Sequence, residues 1–155
     1  MNCDGKVIVP AAREIQNYLG RISGPLLDRI DLHVEVPPVK FREISGERTG
    51  ETSAEIRTRV VAARQRQQKR FAPKPKITCN ARMGTKEIKE FCALDETTKE
   101  LLKNAMTEYN LSARAYDRIL KVARTIADLA AADTVTSDHI SEAIQLRSLD
   151  RQLWT

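Results

Sequence analysis

Apolar positions recur at helical spacing through the second half of the chain. Ala115, Ile119, Val122, Ile126 and Leu129 step by four and three residues, which is typical of the buried face of an amphipathic helix. The same reading predicts helices over residues 85–92, 95–109 and 112–131, and a last one that opens at Thr136. Four helices joined by short polar loops predict a small helical bundle.

The first half alternates differently. Residues 30–36, IDLHVEV, place apolar and polar side chains in strict alternation, which predicts a half-buried strand. A long helix is predicted over 53–71, because Thr52 and Glu55 have the spacing of a capping box. Two prolines within 72–78 indicate an extended linker. The chain is therefore predicted to be mostly α, with a segment containing one or few strands at 1–51, a connecting helix and linker at 52–77, and a helical domain at 78–155.

Composition narrows the class of protein. The chain has 155 residues, a formal net charge of +5, three cysteines and two histidines. The cysteines are widely separated, so neither a zinc site nor a disulfide framework is expected, and a reducing cytoplasm is the simpler location. No apolar run approaches 18 residues, so no membrane partner is expected. The first ten residues lack the apolar stretch of a signal peptide.

The basic excess is confined to one segment. Residues 52–76 hold eight basic residues and one acid, a net charge of +7, which leaves 5 − 7 = −2 for the remaining chain. Such a helix could contact nucleic-acid phosphates in a salt-dependent way. It could equally be a solvated face, because aromatic stacking partners and base-reading side chains are sparse. The candidate nucleic-acid residues are Arg57, Arg59, Arg64, Arg66, Lys69 and Arg70.

Familiar catalytic motifs are missing from the sequence. Neither histidine sits in a nucleophilic motif, and the phosphate loop G-x-x-x-x-G-K-[ST] does not occur. Two arginines at element ends remain: Arg29, before the predicted strand, and Arg114, in the first turn of a helix capped by Ser112. A helix N-terminus favours anions, so an arginine there is either tolerated on the surface or meets an anion such as phosphate.

Three segments carry a resemblance to a known family. GPLLDRIDLHVEV resembles the segment that closes the nucleotide-binding core of magnesium-chelatase-like AAA+ ATPases. SAEIRTRVVAARQRQQKRF is similar to their connecting helix, and LSARAYDRILKVARTIADLAAADTVTSDHISEAIQLR is similar to their C-terminal helical lid. The likeness covers about residues 15–150 and is greatest to the bacterial group associated with competence and DNA branch migration. It implies the C-terminal edge of an αβ AAA+ core, followed by the connecting helix and a four-helix lid.

The resemblance also implies roles for single residues. Arg29 takes the place of the arginine finger, which reaches ATP held by the neighbouring subunit, and Asp28 that of an interface residue. Arg114 takes the place of the second sensor, which contacts nucleotide phosphates. The implied parent uses ATP and Mg²⁺, forms a homo-oligomeric ring and remodels or translocates DNA in the cytoplasm. Without a phosphate loop, this chain alone is expected to be inactive and to hold no cofactor tightly.

Two other readings of the sequence stay open. A chelatase-type motor would have the same ATP chemistry but would act on a partner protein that inserts a metal. A stand-alone basic helical module that binds nucleic acid would explain the charged helix. It would not explain an alternating segment at 30–36 or the two arginine motifs.

Overall fold

The computed structural model describes residues 29–34, 36–38 and 50–147. The described part contains five α-helices and one short 3₁₀ helix. The α-helices are α1 (Ser53–Phe71), α2 (Thr85–Phe91), α3 (Glu96–Glu108), α4 (Ala113–Leu129) and α5 (Ser137–Gln145), and the 3₁₀ helix (Asn80–Arg82) lies between α1 and α2. The predicted mostly α fold and its four-helix bundle, α2–α5, are confirmed.

The helices begin where the capping residues predict. Thr52 and Glu55 form a reciprocal capping box: the Thr52 N–H donates to Glu55 Oε2 at 2.8 Å, and the Glu55 N–H donates to Thr52 Oγ1 at 3.3 Å. The side chains of Asp95 and Ser112 each accept the N–H three residues ahead, at 2.7 Å and 3.2 Å. Each bond satisfies a donor that the first helical turn would otherwise leave unpaired.

Helix α4 lies at the centre of the domain and packs against α1, α2, α5 and the 3₁₀ helix. Its residues Ile119 and Ala123 are fully buried, as is Ile140 of α5. Phe71, at the end of α1, meets Phe91 of α2 edge to face, with ring centroids 5.5 Å apart. Of the predicted apolar face of α4, Ala115 and Ile119 are buried and Val122 and Ile126 are half-buried, but Leu129 keeps 45% of its surface exposed. The buried face continues through Ala123 and Ala127 instead.

Only the C-terminal half of α1 joins this core. Ala63, Gln67 and Phe71 are buried, whereas Ile56 and Val60 keep 44% and 46% of their surface exposed. The predicted apolar stripe of this helix is thus covered over its second half. The first half of α1 extends away from the described core.

The described residues of the predicted strand, 30–34 and 36, are not in strand conformation in the structure. Residues 30–34 and 36 make no strand ladder, and Leu32, Val34 and Val36 are exposed. A strand needs a neighbouring strand to bond its backbone, and the described residues supply none. The segment attaches to the helical domain instead, where the His33 N–H donates to the Leu146 carbonyl at 2.7 Å. His33 is half-buried.

Two features are absent from the described ranges. No helix within them has the length and apolar character needed to cross a membrane. Nor do those ranges hold a group of three histidine, cysteine or acidic side chains that could bind a metal ion.

Candidate functional site: two arginine surfaces

Arg114 is the second residue of α4 and is exposed. It lines a cleft of about 240 Å³ at the start of that helix, which we call the α4 cleft. Three cations, two carboxylates and one alanine line it: Arg114, Arg118, Lys121, Asp31, Asp117 and Ala81. Ser112 caps one N–H of the first turn, that of Ala115, and the dipole and remaining N–H groups of a helix N-terminus favour an anion.

Arg29 lies on the segment that borders the same cleft. Its side chain is exposed, and its carbonyl accepts a hydrogen bond from Arg118 Nη1 at 2.7 Å. Arg118 also forms an ion pair with Asp31. Because Arg118 follows Arg114 by one helical turn, the structure brings the two predicted arginine segments together. Asp28, the predicted interface residue, lies outside the described residues.

Sequence reasoning missed Arg118. Its spacing of four from Arg114 marks the same helix face, but nothing in the sequence tells which segment its guanidinium would reach. The partner carbonyl is 89 residues away along the chain. The contact exists because the segment that begins at Arg29 packs on α4, and sequence spacing does not predict that packing.

The basic helix α1 divides into two sets of cations. Three arginines pair with acids: Arg59 with Glu51, Arg66 with Asp133 at 3.1 Å, and Arg70 with Asp128. We call Arg59, Arg66 and Arg70 the paired arginines. The other three predicted nucleic-acid residues are exposed and form no ion pair with any described residue; we call them the open cations, Arg57, Arg64 and Lys69.

Asp128 is the centre of a buried polar network. Its carboxylate, fully shielded from solvent, accepts from Arg70 Nη1 and Asn80 Nδ2, both at 2.8 Å, and pairs with Arg124 at 3.1 Å. Burial alone would raise the pKa of Asp128, but the hydrogen bonds from Arg70 and Asn80 and the charge of Arg124 outweigh it and lower that pKa. Arg70 therefore holds the fold together at this point.

Arg124 is a second cation whose contacts sequence reasoning missed. It is almost fully buried and donates to the carbonyls of Ala132 and Asp133 at 2.6 and 2.7 Å, which closes the turn after α4. Burial lowers its pKa. The sequence offered no signal for it, because position 124 lies outside the apolar period predicted for this helix.

Comparison with known proteins identifies the class. Residues 50–147 match the family model described as magnesium chelatase, subunit ChlI C-terminal, and residues 3–44 match magnesium chelatase, subunit ChlI. The first match alone covers more than half of the chain, so the chain belongs to the magnesium chelatase subunit I family. This confirms the resemblance stated from the sequence, and AAA+ architecture follows from the family.

Individual relatives are similar over most of the chain. Competence protein ComM of Haemophilus influenzae is 43% identical over 143 residues, 91% of this chain and 27% of that protein. The protein YifB of Escherichia coli is 42% identical over 137 residues, 88% of this chain and 26% of its own length. The chain spans about a quarter of the length of these relatives.

Proposed function

We propose that this chain supplies the arginine finger and the helical lid of an AAA+ ATPase that hydrolyses ATP as a homo-oligomeric ring. Arg29 would reach the ATP bound by the neighbouring subunit, and Arg114 would contact the phosphates of the nucleotide in its own subunit. The observation that carries the proposal is the bond from Arg118 to the Arg29 carbonyl, which joins both arginine segments at one cleft.

The chemistry of the α4 cleft suits a phosphate. Negative charge spreads over the phosphoryl oxygens as the bond to the leaving group breaks, and a guanidinium placed there stabilises that charge. Arg114 lies at a helix N-terminus, where the backbone also favours an anion.

The test is Arg29→Ala in a full-length ATPase of this family that carries this sequence. We expect kcat to fall by about 10³-fold or more, the scale of an arginine finger, while ATP affinity changes little. Arg114→Ala should instead weaken nucleotide binding. Lys103→Ala is the matched control, because Lys103 is an exposed cation on α3 whose ion-pair partner among the described residues is Glu100. Hydrolysis that survives in Arg29→Ala would overturn the assignment.

DNA is the proposed substrate on which the ring acts. The support is the set of open cations on α1, which the fold leaves exposed and without acidic partners in the described residues. Three such charges along one helix can release counterions from a nucleic-acid backbone. The alternative cargo, a partner protein that inserts a metal, would not need them.

A further inference from the structure

Arg118 attaches residues 29–34, which we call the finger segment, to α4 with two polar contacts. Its Nη1 donates to the Arg29 carbonyl at 2.7 Å, and its guanidinium also pairs with the Asp31 carboxylate. The backbone just before the predicted strand and a side chain near its start are thus held by one residue. Both bonds come from Nη1, which carries two N–H groups in the plane of the guanidinium, so one nitrogen bonds two residues of the segment.

The C-terminal end of α5 adds two further bonds. Arg147, which is almost fully buried, donates Nη1 to the Ile30 carbonyl at 3.1 Å. The His33 N–H donates to the Leu146 carbonyl at 2.7 Å. Four polar contacts are therefore made along residues 29–33, and each reaches α4 or the residues that follow α5.

Apolar packing contributes less to this attachment. Ile30, Leu32 and Val34 keep 40%, 49% and 69% of their surface exposed. Leu32 borders an apolar cavity of about 330 Å³ between the segment and the domain, which it does not fill. The position of Arg29 therefore depends on the polar contacts more than on burial, and Arg118 is the contact nearest to it.

We infer that Arg118 is a positioning residue that couples Arg114 to Arg29. Arg114 and Arg118 lie one turn apart on a 17-residue helix, and the body of that helix is packed into the core. A movement of α4 in response to nucleotide at Arg114 would carry Arg118 with it. The finger segment would follow, so the state of one subunit's nucleotide would set the place of Arg29 in the next subunit's site.

The attachment itself can be tested on the 155-residue chain. We measure amide hydrogen exchange of His33 in the wild type, in Arg118→Met and in Lys121→Met. Lys121 is the matched control, because it lies on the same helix and donates to a backbone carbonyl, that of Ala81, outside the segment. We expect exchange to become about ten-fold faster in Arg118→Met and unchanged in Lys121→Met. Equal exchange in all three would overturn the inference.

The coupling rests on the proposed function and needs the full-length ATPase. Arg118→Met should lower kcat by about ten- to a hundred-fold, as a misplaced catalytic group does, with KM for ATP and ring assembly unchanged. Asp31→Asn should cause a smaller loss in the same direction. In an Arg29→Ala background, Arg118→Met should cause no further loss, because it acts through Arg29.

The outcomes separate the two claims. An additive loss in the double variant, or an unchanged kcat in Arg118→Met, would overturn the coupling role while leaving Arg29 as the finger. Full hydrolysis in Arg29→Ala would overturn the finger assignment and the coupling with it. The exchange measurement would still decide whether Arg118 holds the segment.

Discussion

The two ends of α4 use arginine in opposite ways. At the C-terminal end, Arg70 and Arg124 surround the buried carboxylate of Asp128. At the N-terminal end, Arg114 and Arg118 line an open cleft. The first pair meets its counter-charge within the fold, whereas Arg114 forms no ion pair with any residue that the structure describes. Burial with a partner marks a cation that stabilises the domain, and exposure at a helix N-terminus marks one that can meet an anion from outside.

The largest effect is expected from removing the buried Asp128 carboxylate near the C-terminal end of α4. Asp128→Ala would leave Arg70 and Arg124 without the carboxylate between them, and removing one partner of a buried ion pair costs about 3–5 kcal/mol of unfolding free energy. Urea denaturation of the chain measures this. The control is Asp133→Ala, because that side chain is 95% exposed in its pair with Arg66 and its loss should cost less than about 1 kcal/mol. Equal costs would contradict the distinction between the two pairs.

The contribution of the Asp128 carboxylate to stability should be lost in acid. Because the pKa of Asp128 is lower in the folded state than its ordinary value, its contribution is complete above the unfolded carboxyl pKa of about 4. It is lost as the pH falls through the lower, folded pKa. The stability difference between wild type and Asp128→Ala should therefore stay constant from neutral pH to about pH 5 and shrink in stronger acid. A difference that already shrinks above pH 5 would contradict the lowered pKa.

The sequence predicted the helices well because their signals are local. Thr52, Asp95 and Ser112 each bond an N–H three residues away, so spacing alone reveals them. The separation of α1 into paired arginines and open cations could not be predicted, because Arg70 meets a carboxylate 58 residues away. The strand prediction at 30–36 has the same weakness. The alternation of apolar and polar residues is local, but a strand also needs a partner strand, and the described residues supply none.

A third experiment sharpens the comparison through the two described cysteines. Burial raises the pKa of Cys92 to about 11. At the half-buried Cys79, burial would also raise the pKa, but hydrogen bonds from the Arg82 backbone and the Arg64 guanidinium lower it. Because the thiolate is the nucleophile, iodoacetamide in mildly alkaline buffer should label Cys79 far faster than Cys92. Mass spectrometry of peptides from a Cys3→Ser background measures both rates.

The cysteine rates also report on the buried network. Cys92 lies in the field of Arg124, Arg70 and Asp128, so loosening that end of the core should expose it. We expect Asp128→Ala to speed the labelling of Cys92 and to leave the rate at Cys79 nearly unchanged. Labelling of Cys92 as fast as Cys79 in the wild type would show that the Asp128 end is not closed.

The smallest effect concerns α1, where open and paired cations share one helix. If the open cations contact DNA phosphates, Arg57→Ala with Lys69→Ala should reduce the slope of log K against log salt by about 0.9 for each lost contact. The matched control deletes the Arg66 pair as a unit, by Arg66→Ala with Asp133→Ala. This double substitution removes one positive and one negative charge, so the net charge stays the same and the salt slope should equal that of the wild type. Anisotropy of a fluorescein-labelled duplex, titrated with salt, measures both. Absence of binding even at low salt would remove the support for DNA and favour a protein cargo. Equal slopes in the two double variants would contradict the distinction between the open cations and the paired arginines.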